Sequence, residues 1–290
     1  MSLRINSNIA AMNAYRNLSV NDKAMSSSLE KLSSGLRINR AADDAAGLSI
    51  SQGLQSQIGG LKVAARNAQD GVNVVQTADG ALSESEAILQ RMRDLAVQAS
   101  NTGSQDTGAT AAAQTEYVQL NSELDRISQT TKFGSQAILG GSYNGTFQVD
   151  SGTGTGSTIA VNLTSSGALS GLTAGTGGTA ITAFDSTGLG TATLDLTTGA
   201  SAAIDQLDTA ISNMSTVRAT LGAYQNRFEH TITNINVSVE NLTASKSAIT
   251  DTDMAAEMTN FTKSQILQQA GTAMLAQANQ APQGVLKLLG

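Results

Sequence analysis

Apolar residues recur in alternating three- and four-residue steps near both ends of the chain, and this pattern constrains the fold most. In the N-terminal third it runs through Tyr15, Leu18, Met25, Leu29, Leu32 and Leu36. In the last third it runs through Ile204, Leu207, Ile211, Met214, Leu221, Phe228, Ile232, Ile235, Val239, Leu242 and Ile249. Such a repeat is the seam of a helix that packs on another helix. The sequence therefore predicts a mainly α fold, with long antiparallel coiled-coil-like helices from both termini.

Further helices are predicted between these ends. A second apolar stripe runs from Leu54 to Leu89, a stretch longer than the width of a compact domain of this size. The polar break "SNTGSQDTG" separates it from another helical pattern that carries Tyr117 and Leu124. A final amphipathic run begins at Met254. The N-terminal and C-terminal parts can therefore pair as antiparallel helices around a different middle segment.

The middle of the chain has another composition. Residues 140–200 are rich in Gly and Thr and contain no Lys, Arg or Glu. The alternating stretches "TFQVD", "TIAVNL" and "TATLDL" predict short strands joined by glycine turns, in a small β-hairpin region. A polar loop without strands is the alternative that the composition leaves open.

Composition excludes several classes of protein. The chain has no cysteine, so it cannot form disulfides, thiolate zinc sites or a thiol nucleophile. Its net charge is -6 and it has no cluster of basic residues, which argues against nucleic-acid binding. It has no apolar run of about 18 residues, so no membrane insertion is expected. The first residues lack the apolar region of a cleaved signal peptide.

The candidates for chemistry all favour a structural interpretation. His230 is the only histidine and lies beside the helical seam, so a position on the helix surface is expected. The stretch "GTGTGSTIA" lacks the Gly-Lys-Ser/Thr ending of a phosphate loop and is expected to form a turn. Asp251 and Asp253 lack calcium-loop spacing and are expected to cap the last helix. No enzyme activity and no cofactor are predicted.

The stretch "SSGLRINRAADDAAG" interrupts the first helical pattern with four charges, at Arg37, Arg40, Asp43 and Asp44. Adjacent helix positions point about 100° apart, so the two aspartates do not converge on one substrate. The small residues around them let chains approach closely. The four charged residues are therefore predicted to make ion pairs within or between copies of the chain.

The apolar content of each terminal helix is too small to stabilise that helix alone. Burying its seam does not offset the backbone entropy that folding removes. Each terminal helix therefore needs a partner, and pairing the two ends with each other is not expected to suffice. The termini are predicted to be loose in the monomer and to fold on assembly with other copies.

Long segments of the sequence closely resemble bacterial flagellin. They are "LSSGLRINRAADDAAGLSIS", "ARNAQDGVNVVQTADGAL", "ILQRMRDLAVQASN", "LDRISQTTKFGSQAIL", "ITDTDMAAEM" and "ANQAPQGVLKLLG". The resemblance covers roughly residues 1–140 and 200–290. It implies a subunit that self-assembles into the helical filament of the flagellum and leaves the cell without a cleaved signal peptide. A hook–filament junction protein, which shares the terminal helices, is the alternative.

The resemblance also implies an organisation into layers. Residues 1–45 and 250–290 would form an inner terminal-helix domain, and residues 46–140 and 200–249 a helical shell. Residues 141–199 would form a β-hairpin or variable segment, with little or no outer domain. The implied partners are further copies of the chain, an export chaperone, hook-junction and filament-cap proteins, and the vertebrate flagellin receptor of the Toll-like class.

Three sets of residues carry the implied contacts. Those expected to pack the inner tube are Leu18, Met25, Leu29, Leu32, Met258, Phe261, Ile266 and Met274. Those of the subunit-contact linker are Arg37, Arg40, Asp43 and Asp44. Those expected to contact the receptor, or the next subunit along the filament axis, are Gln90, Arg91, Leu95 and Glu116. Some flagellins carry a zinc protease in the middle segment, but residues 140–200 contain no His and no Glu here.

Overall fold

The computed structural model describes residues 8–101, 103–164, 167–174 and 179–289. Long helices dominate this part of the chain, as the heptad pattern predicts. They are α1 (Ile9–Ser34), α2 (Ala45–Ser100), α3 (Thr107–Thr130), α4 (Leu196–Thr250) and α5 (Met254–Leu289). The prediction of a mainly α fold is confirmed.

The chain divides into two compact units. One, here called the terminal unit, combines the described residues up to Gln57 with those from Glu240 onward. The other, the central unit, spans Ile58–Val239. Helices α2 and α4 contribute to both units. The three-part division predicted from the resemblance stays a prediction.

In the terminal unit, α1 and α5 pair in antiparallel directions. The Asn8 side chain caps the start of α1 and donates from Nδ2 to the Ala278 carbonyl at 2.8 Å. Farther along α1, the Asp22 carboxylate accepts a hydrogen bond from the Gln268 side chain of α5, also at 2.8 Å. Gly35 then ends α1 with φ of 72°, a left-handed conformation that glycine adopts without steric cost. The predicted pairing of the two ends of the chain is therefore present.

Two short connections in the terminal unit are hydrogen-bonded to each other. Leu36 and Asp251 form an isolated antiparallel bridge. The Arg37 amide donates to the Thr250 carbonyl at 2.7 Å, and the Thr252 amide donates to the Gly35 carbonyl at 3.0 Å. We call this arrangement the clasp. It satisfies backbone groups that the ends of α1 and α4 would otherwise leave unpaired.

The central unit has an extensive apolar core between α2, α3 and α4. Its largest fully buried side chains include Tyr117, Phe228, Leu82, Leu89, Met92, Leu95 and Leu124. Phe228 contacts Phe147 edge-to-face, with ring centroids 5.5 Å apart. A Cβ at Gly71 would lie 2.6 Å from the Phe228 ring, so this close approach of α2 and α4 requires glycine. These buried residues belong to one contiguous apolar cluster, as in the core of a folded domain.

Arginine residues join α2 and α4 at the edge of this core. Arg218 donates from Nε to Asp79 at 2.8 Å and from Nη1 to Glu86 at 2.7 Å. Arg93 forms a two-point ion pair with Asp208. These contacts show that α2 and α4 run antiparallel in the central unit.

Three two-stranded antiparallel sheets follow α3. The first pairs β1 (Lys132–Phe133) with β2 (Gln136–Ala137), the second pairs β3 (Asn144–Gln148) with β4 (Thr158–Asn162), and the third pairs β5 (Thr173–Ala174) with β6 (Thr179–Ala180). The strands predicted from "TFQVD" and "TIAVNL" correspond to β3 and β4. The glycine-rich stretch between them forms the predicted turn.

The strand predicted from "TATLDL" is wrong, because this stretch forms a turn that leads into α4. The Thr191 carbonyl accepts from the Tyr117 hydroxyl and from the Asn121 side chain, each at 3.0 Å. Asp195 then accepts from the Thr197 amide at 2.8 Å, as a residue before a helix does. These polar partners satisfy the backbone in place of a second strand.

Candidate functional site

The terminal unit leaves most of its large apolar side chains in contact with solvent. Those more than 40% exposed are Ile9, Met12, Tyr15, Val20, Leu29, Ile50, Met254, Met258, Ile266, Leu267 and Met274. Ile38, at 4% exposure, is the only buried apolar side chain of this unit within residues 8–57 and 240–280. Soluble monomers rarely leave such a surface uncovered, so it marks an interface.

The eight residues predicted to pack the inner tube fall into two groups. Leu18, Met25, Leu32 and Phe261 are half-buried. Leu29, Met258, Ile266 and Met274 are exposed. The single α1–α5 pair therefore covers only part of the heptad pattern, and the exposed group is left uncovered by the residues that the structure describes.

Several exposed apolar residues were not among the predicted site residues. They are Ile9, Met12, Tyr15, Val20, Ile50, Met254 and Leu267. Met12, Tyr15 and Val20 line an open cleft of about 710 Å³ that Leu275 of α5 also borders. Apolar residues on α1 outside the three-four repeat, such as Met12 and Val20, were the signal that could have revealed this second face.

The four charged residues of the predicted linker lie at and beside the clasp. Among the described residues, Arg40 alone of the four has an ion-pair partner. Arg40 contacts Glu30 through two hydrogen bonds, at 2.8 and 2.9 Å. Arg37 instead donates from its guanidinium to the Ile249 carbonyl at 2.6 Å. Arg37, Asp43 and Asp44 make no ion pair within the part of the chain that the structure describes. Pairs between copies of the chain stay a prediction.

The two aspartates of this stretch accept hydrogen bonds from backbone amides. Asp43 accepts from the amides of Arg40 and Asn39, at 2.9 and 3.0 Å. The Arg40 amide contributes most to lowering the pKa of Asp43, and the Asn39 amide follows. Asp44 accepts from the Gly47 amide at 2.9 Å and thereby caps α2. Both side chains fix the course of the backbone between α1 and α2.

Asp251 and Asp253 were both predicted to cap the last helix, but only Asp253 does so. Asp253 accepts from the amides of Ala255 and Ala256, at 2.9 and 3.1 Å, and caps α5 as predicted. Asp251 does not cap α5. It accepts from the Ser247 and Thr250 hydroxyls at the end of α4, and the first of these bonds contributes most to lowering the pKa of Asp251. The clasp explains this difference, because it fixes the Asp251 backbone against Leu36.

The residues predicted to contact a receptor lie in the central unit. Arg91 of α2 forms an exposed ion pair with Glu116 of α3, with Nη2 and Oε1 2.7 Å apart. Gln90 is also exposed. Leu95 is only 2% exposed and belongs to the core, so its side chain does not reach a partner in this conformation. A direct contact stays a prediction for all four residues, and the burial of Leu95 does not favour it at that position.

Neither a cluster of metal-ligating residues nor a membrane-spanning helix is present in the described residues. His230 lies exposed on α4, as predicted. In the described ranges, His, Asp and Glu nowhere gather in a group of three that could hold a metal ion. No helix within these ranges combines the length and the apolar character needed to cross a bilayer.

Comparisons with known proteins agree with this picture. The family model of the bacterial flagellin N-terminal helical region matches residues 5–144, and that of the C-terminal helical region matches residues 204–289. A flagellin of Bacillus subtilis is 47% identical over 99% of this chain and all of its own length. A flagellin of Halalkalibacterium halodurans is 48% identical over 98% of this chain and 99% of its own.

A solved structure was also found, the crystal structure of Bacillus cereus flagellin. It is 31% identical, with a TM-score of 0.47, and the match covers 59% of this chain and 88% of that one. The family models and the full-length relatives carry the assignment. The chain belongs to the bacterial flagellin family and is a structural protein of the flagellar filament, not an enzyme.

Proposed function

We propose that the terminal unit is the polymerisation surface of this chain, through which copies add to a growing helical filament used for swimming. The observation that carries the proposal is the pair of helices α1 and α5, which leave half of their predicted seam exposed. Copies of the same chain offer matching apolar faces. A head-to-tail contact that does not close on itself gives an open helical polymer.

Seeded assembly tests this role. The double variant Leu29→Gln, Ile266→Gln replaces two exposed apolar side chains, one on α1 and one on α5. The rate of elongation from short filament fragments should drop at least tenfold, while the melting temperature of the monomer should stay unchanged. Asn260→Ala, at an exposed polar position of α5, is the control and should assemble as the parent does.

Electron microscopy of the same samples separates the outcomes. Long uniform filaments from the parent chain support the proposal. Short rings that stop growing would support the hook–filament junction alternative instead. Normal elongation by the double variant would show that other surfaces drive assembly.

A layered arrangement in the filament follows from this proposal. The paired terminal helices would form the inner tube, the helices of the central unit the next layer, and the segment with the three small sheets the outside. Before assembly, the exposed apolar faces would bind an export chaperone, and at the two ends of the filament they would bind hook-junction and filament-cap proteins. Export would proceed without a cleaved signal peptide, which intact-mass measurement of secreted protein tests.

A second proposed role is that of a ligand for the vertebrate receptor of the Toll-like class. Gln90, Arg91 and Glu116 support it, because all three are exposed and because the ion pair fixes the Arg91 guanidinium on the surface. Arg91→Ala should weaken binding of the monomer to the receptor ectodomain at least tenfold. Arg126→Ala is the matched control, since Arg126 forms a similarly exposed pair with Glu123 on α3. An equal loss of receptor binding in both variants would contradict the proposal.

A further inference from the structure

The methionines that the structure describes differ widely in exposure. Met12, Met254, Met258 and Met274 are 47–62% exposed, and all four lie in the terminal unit. Met92 and Met214, both in the central unit, are completely buried. Met25 is half-buried in the terminal unit. Solvent-borne reagents therefore reach the thioethers on one unit and not those on the other.

No more reactive side chain competes with these thioethers. The chain contains no cysteine and no tryptophan. Thiolates, which react first with mild oxidants in most proteins, are therefore absent. A two-electron oxidant that meets the free monomer is directed to the exposed methionines.

We propose that Met12, Met254, Met258 and Met274 form an oxidation site at which peroxide-class oxidants reversibly switch off assembly of the free monomer. The proposal rests on the assembly role of the terminal unit given above. It adds a chemical control to that surface. The oxidant acts before a subunit joins the filament, because assembly would cover the same faces.

The chemistry balances with hydrogen peroxide as the named oxidant. The thioether sulfur attacks one peroxide oxygen, an S–O bond forms, and the O–O bond breaks. The departing hydroxide takes the proton left on the transferred oxygen and leaves as water. Sulfur loses two electrons and peroxide gains them. Methionine sulfoxide reductases restore the thioether: a thiol reductant supplies two electrons, is itself oxidised to a disulfide, and the sulfoxide oxygen leaves as water.

The product changes the surface where copies would pack. A sulfoxide is polar, and burying it without a hydrogen-bond partner is unfavourable. Met254 and Met258 lie four residues apart and share one face of α5, so their sulfoxides alter the same strip. Met12 lines the open cleft between α1 and α5. Oxidation thus affects both helices of the assembly surface.

The test treats purified full-length monomer with hydrogen peroxide, removes the peroxide, and measures two quantities. Peptide mapping by mass spectrometry gives the sulfoxide fraction at each methionine. Seeded elongation gives the critical concentration for assembly. The control chain carries Leu at positions 12, 254, 258 and 274 (Met12→Leu, Met254→Leu, Met258→Leu, Met274→Leu). Leucine conserves apolar volume closely and cannot form a sulfoxide.

The expected result has three parts. Sulfoxide forms at the four exposed methionines and not at Met92 or Met214. The critical concentration of the oxidised parent rises at least about tenfold, which corresponds to about 1.4 kcal/mol per added subunit. The control chain assembles before and after peroxide alike, and reductase treatment restores the oxidised parent.

Three results would overturn the inference. They are oxidised parent that assembles normally, equal oxidation of the two buried methionines, and a peroxide-treated control chain that loses assembly. Failure of the proposed function has a different signature, because untreated parent would then form no filaments at all.

Discussion

The terminal and central units are built from similar helices but bury their apolar residues to different extents. In the central unit, heptad residues such as Leu207, Met214 and Phe228 are completely buried by the chain itself. In the terminal unit, Leu29 is exposed and other heptad residues, such as Leu18 and Leu32, are only half-buried. The same three-four pattern therefore forms a buried core in the central unit and a partly exposed apolar surface in the terminal unit.

The polar contacts of the two units also differ in burial. In the central unit, Tyr117, Asn121 and Thr191 form a buried network, and burial raises the pKa of Tyr117. In the terminal unit, the polar contacts between helices are few and partly exposed, such as the Asp22–Gln268 pair. A buried polar network specifies one arrangement of its surroundings. We infer that the central unit is ordered in the monomer and that the terminal unit is completed only by neighbouring copies.

The largest expected effect comes from Phe228→Ala in the central unit. It removes a fully buried ring that contacts Phe147, so the free energy of unfolding should drop by about 3–5 kcal/mol. The matched change Leu29→Ala, at an exposed position of the terminal unit, should change it by less than about 0.5 kcal/mol. Chemical denaturation of the monomers measures both. Similar losses of unfolding free energy in the two variants would contradict the difference in burial between the units.

Gly71→Ala should destabilise the central unit by a smaller amount. The added methyl group would lie 2.6 Å from the Phe228 ring, and overpacking of this kind costs about 1–3 kcal/mol. Gly53→Ala is the control, because no atom lies within 4 Å of the corresponding position. A stable Gly71→Ala variant would show that the approach of α2 and α4 adjusts more easily than the packing indicates.

Arg218→Ala tests the charged edge of the same core. Arg218 pairs with Asp79 and Glu86, and these hydrogen bonds, the one to Asp79 first, raise its pKa. The half-buried pairs should contribute roughly 1 kcal/mol, more than the exposed Arg126–Glu123 pair. Thermal melts of Arg218→Ala and Arg126→Ala give the two values. An equal, negligible change in both would mean that the ion pairs do not stabilise the helix pair.

The smallest expected effect is a loss of stability of the clasp at low pH, through the carboxyl group of Asp251. The Ser247 and Thr250 hydroxyls lower the pKa of Asp251 below its ordinary value of 3.8. A carboxyl with a lowered pKa in the folded state stabilises that state fully above its unfolded pKa, and this contribution is lost as the pH falls through the lower, folded value. The protection factor of the Thr252 amide, which is the ratio of its intrinsic to its observed exchange rate at each pH, should therefore drop only below about pH 4. Asp251→Asn should remove this dependence.

The sequence predicts much of the fold and less of the site, for physical reasons. Seam positions indicate which side of a helix is apolar, so the five long helices and the pairing of the chain ends could be predicted. They do not indicate what covers that side, so Leu29 and Leu32 looked equivalent. Leu95 shows the same limit, because its motif indicated a contact residue and its burial depends on the packing of three helices.

Polar partners were the other part that sequence reasoning missed. Arg218 was visible as an interruption of the seam, but Asp79 and Glu86 come next to it only through the α2–α4 register. The charges at Arg37, Asp43 and Asp44 pointed to ion pairs, whereas backbone groups nearby are their actual partners. Local backbone geometry decides such contacts, and residue type alone does not specify it.

Residue-resolved hydrogen exchange, on the monomer and on the assembled filament, tests the central claim most directly. We predict that amides of α1 and α5 exchange quickly in the monomer and become strongly protected in the filament. Amides of the core helices between Ile58 and Val239 should be protected in both states. Strong protection of α1 and α5 in the free monomer would contradict the account, because it would mean that the terminal unit is complete without other copies.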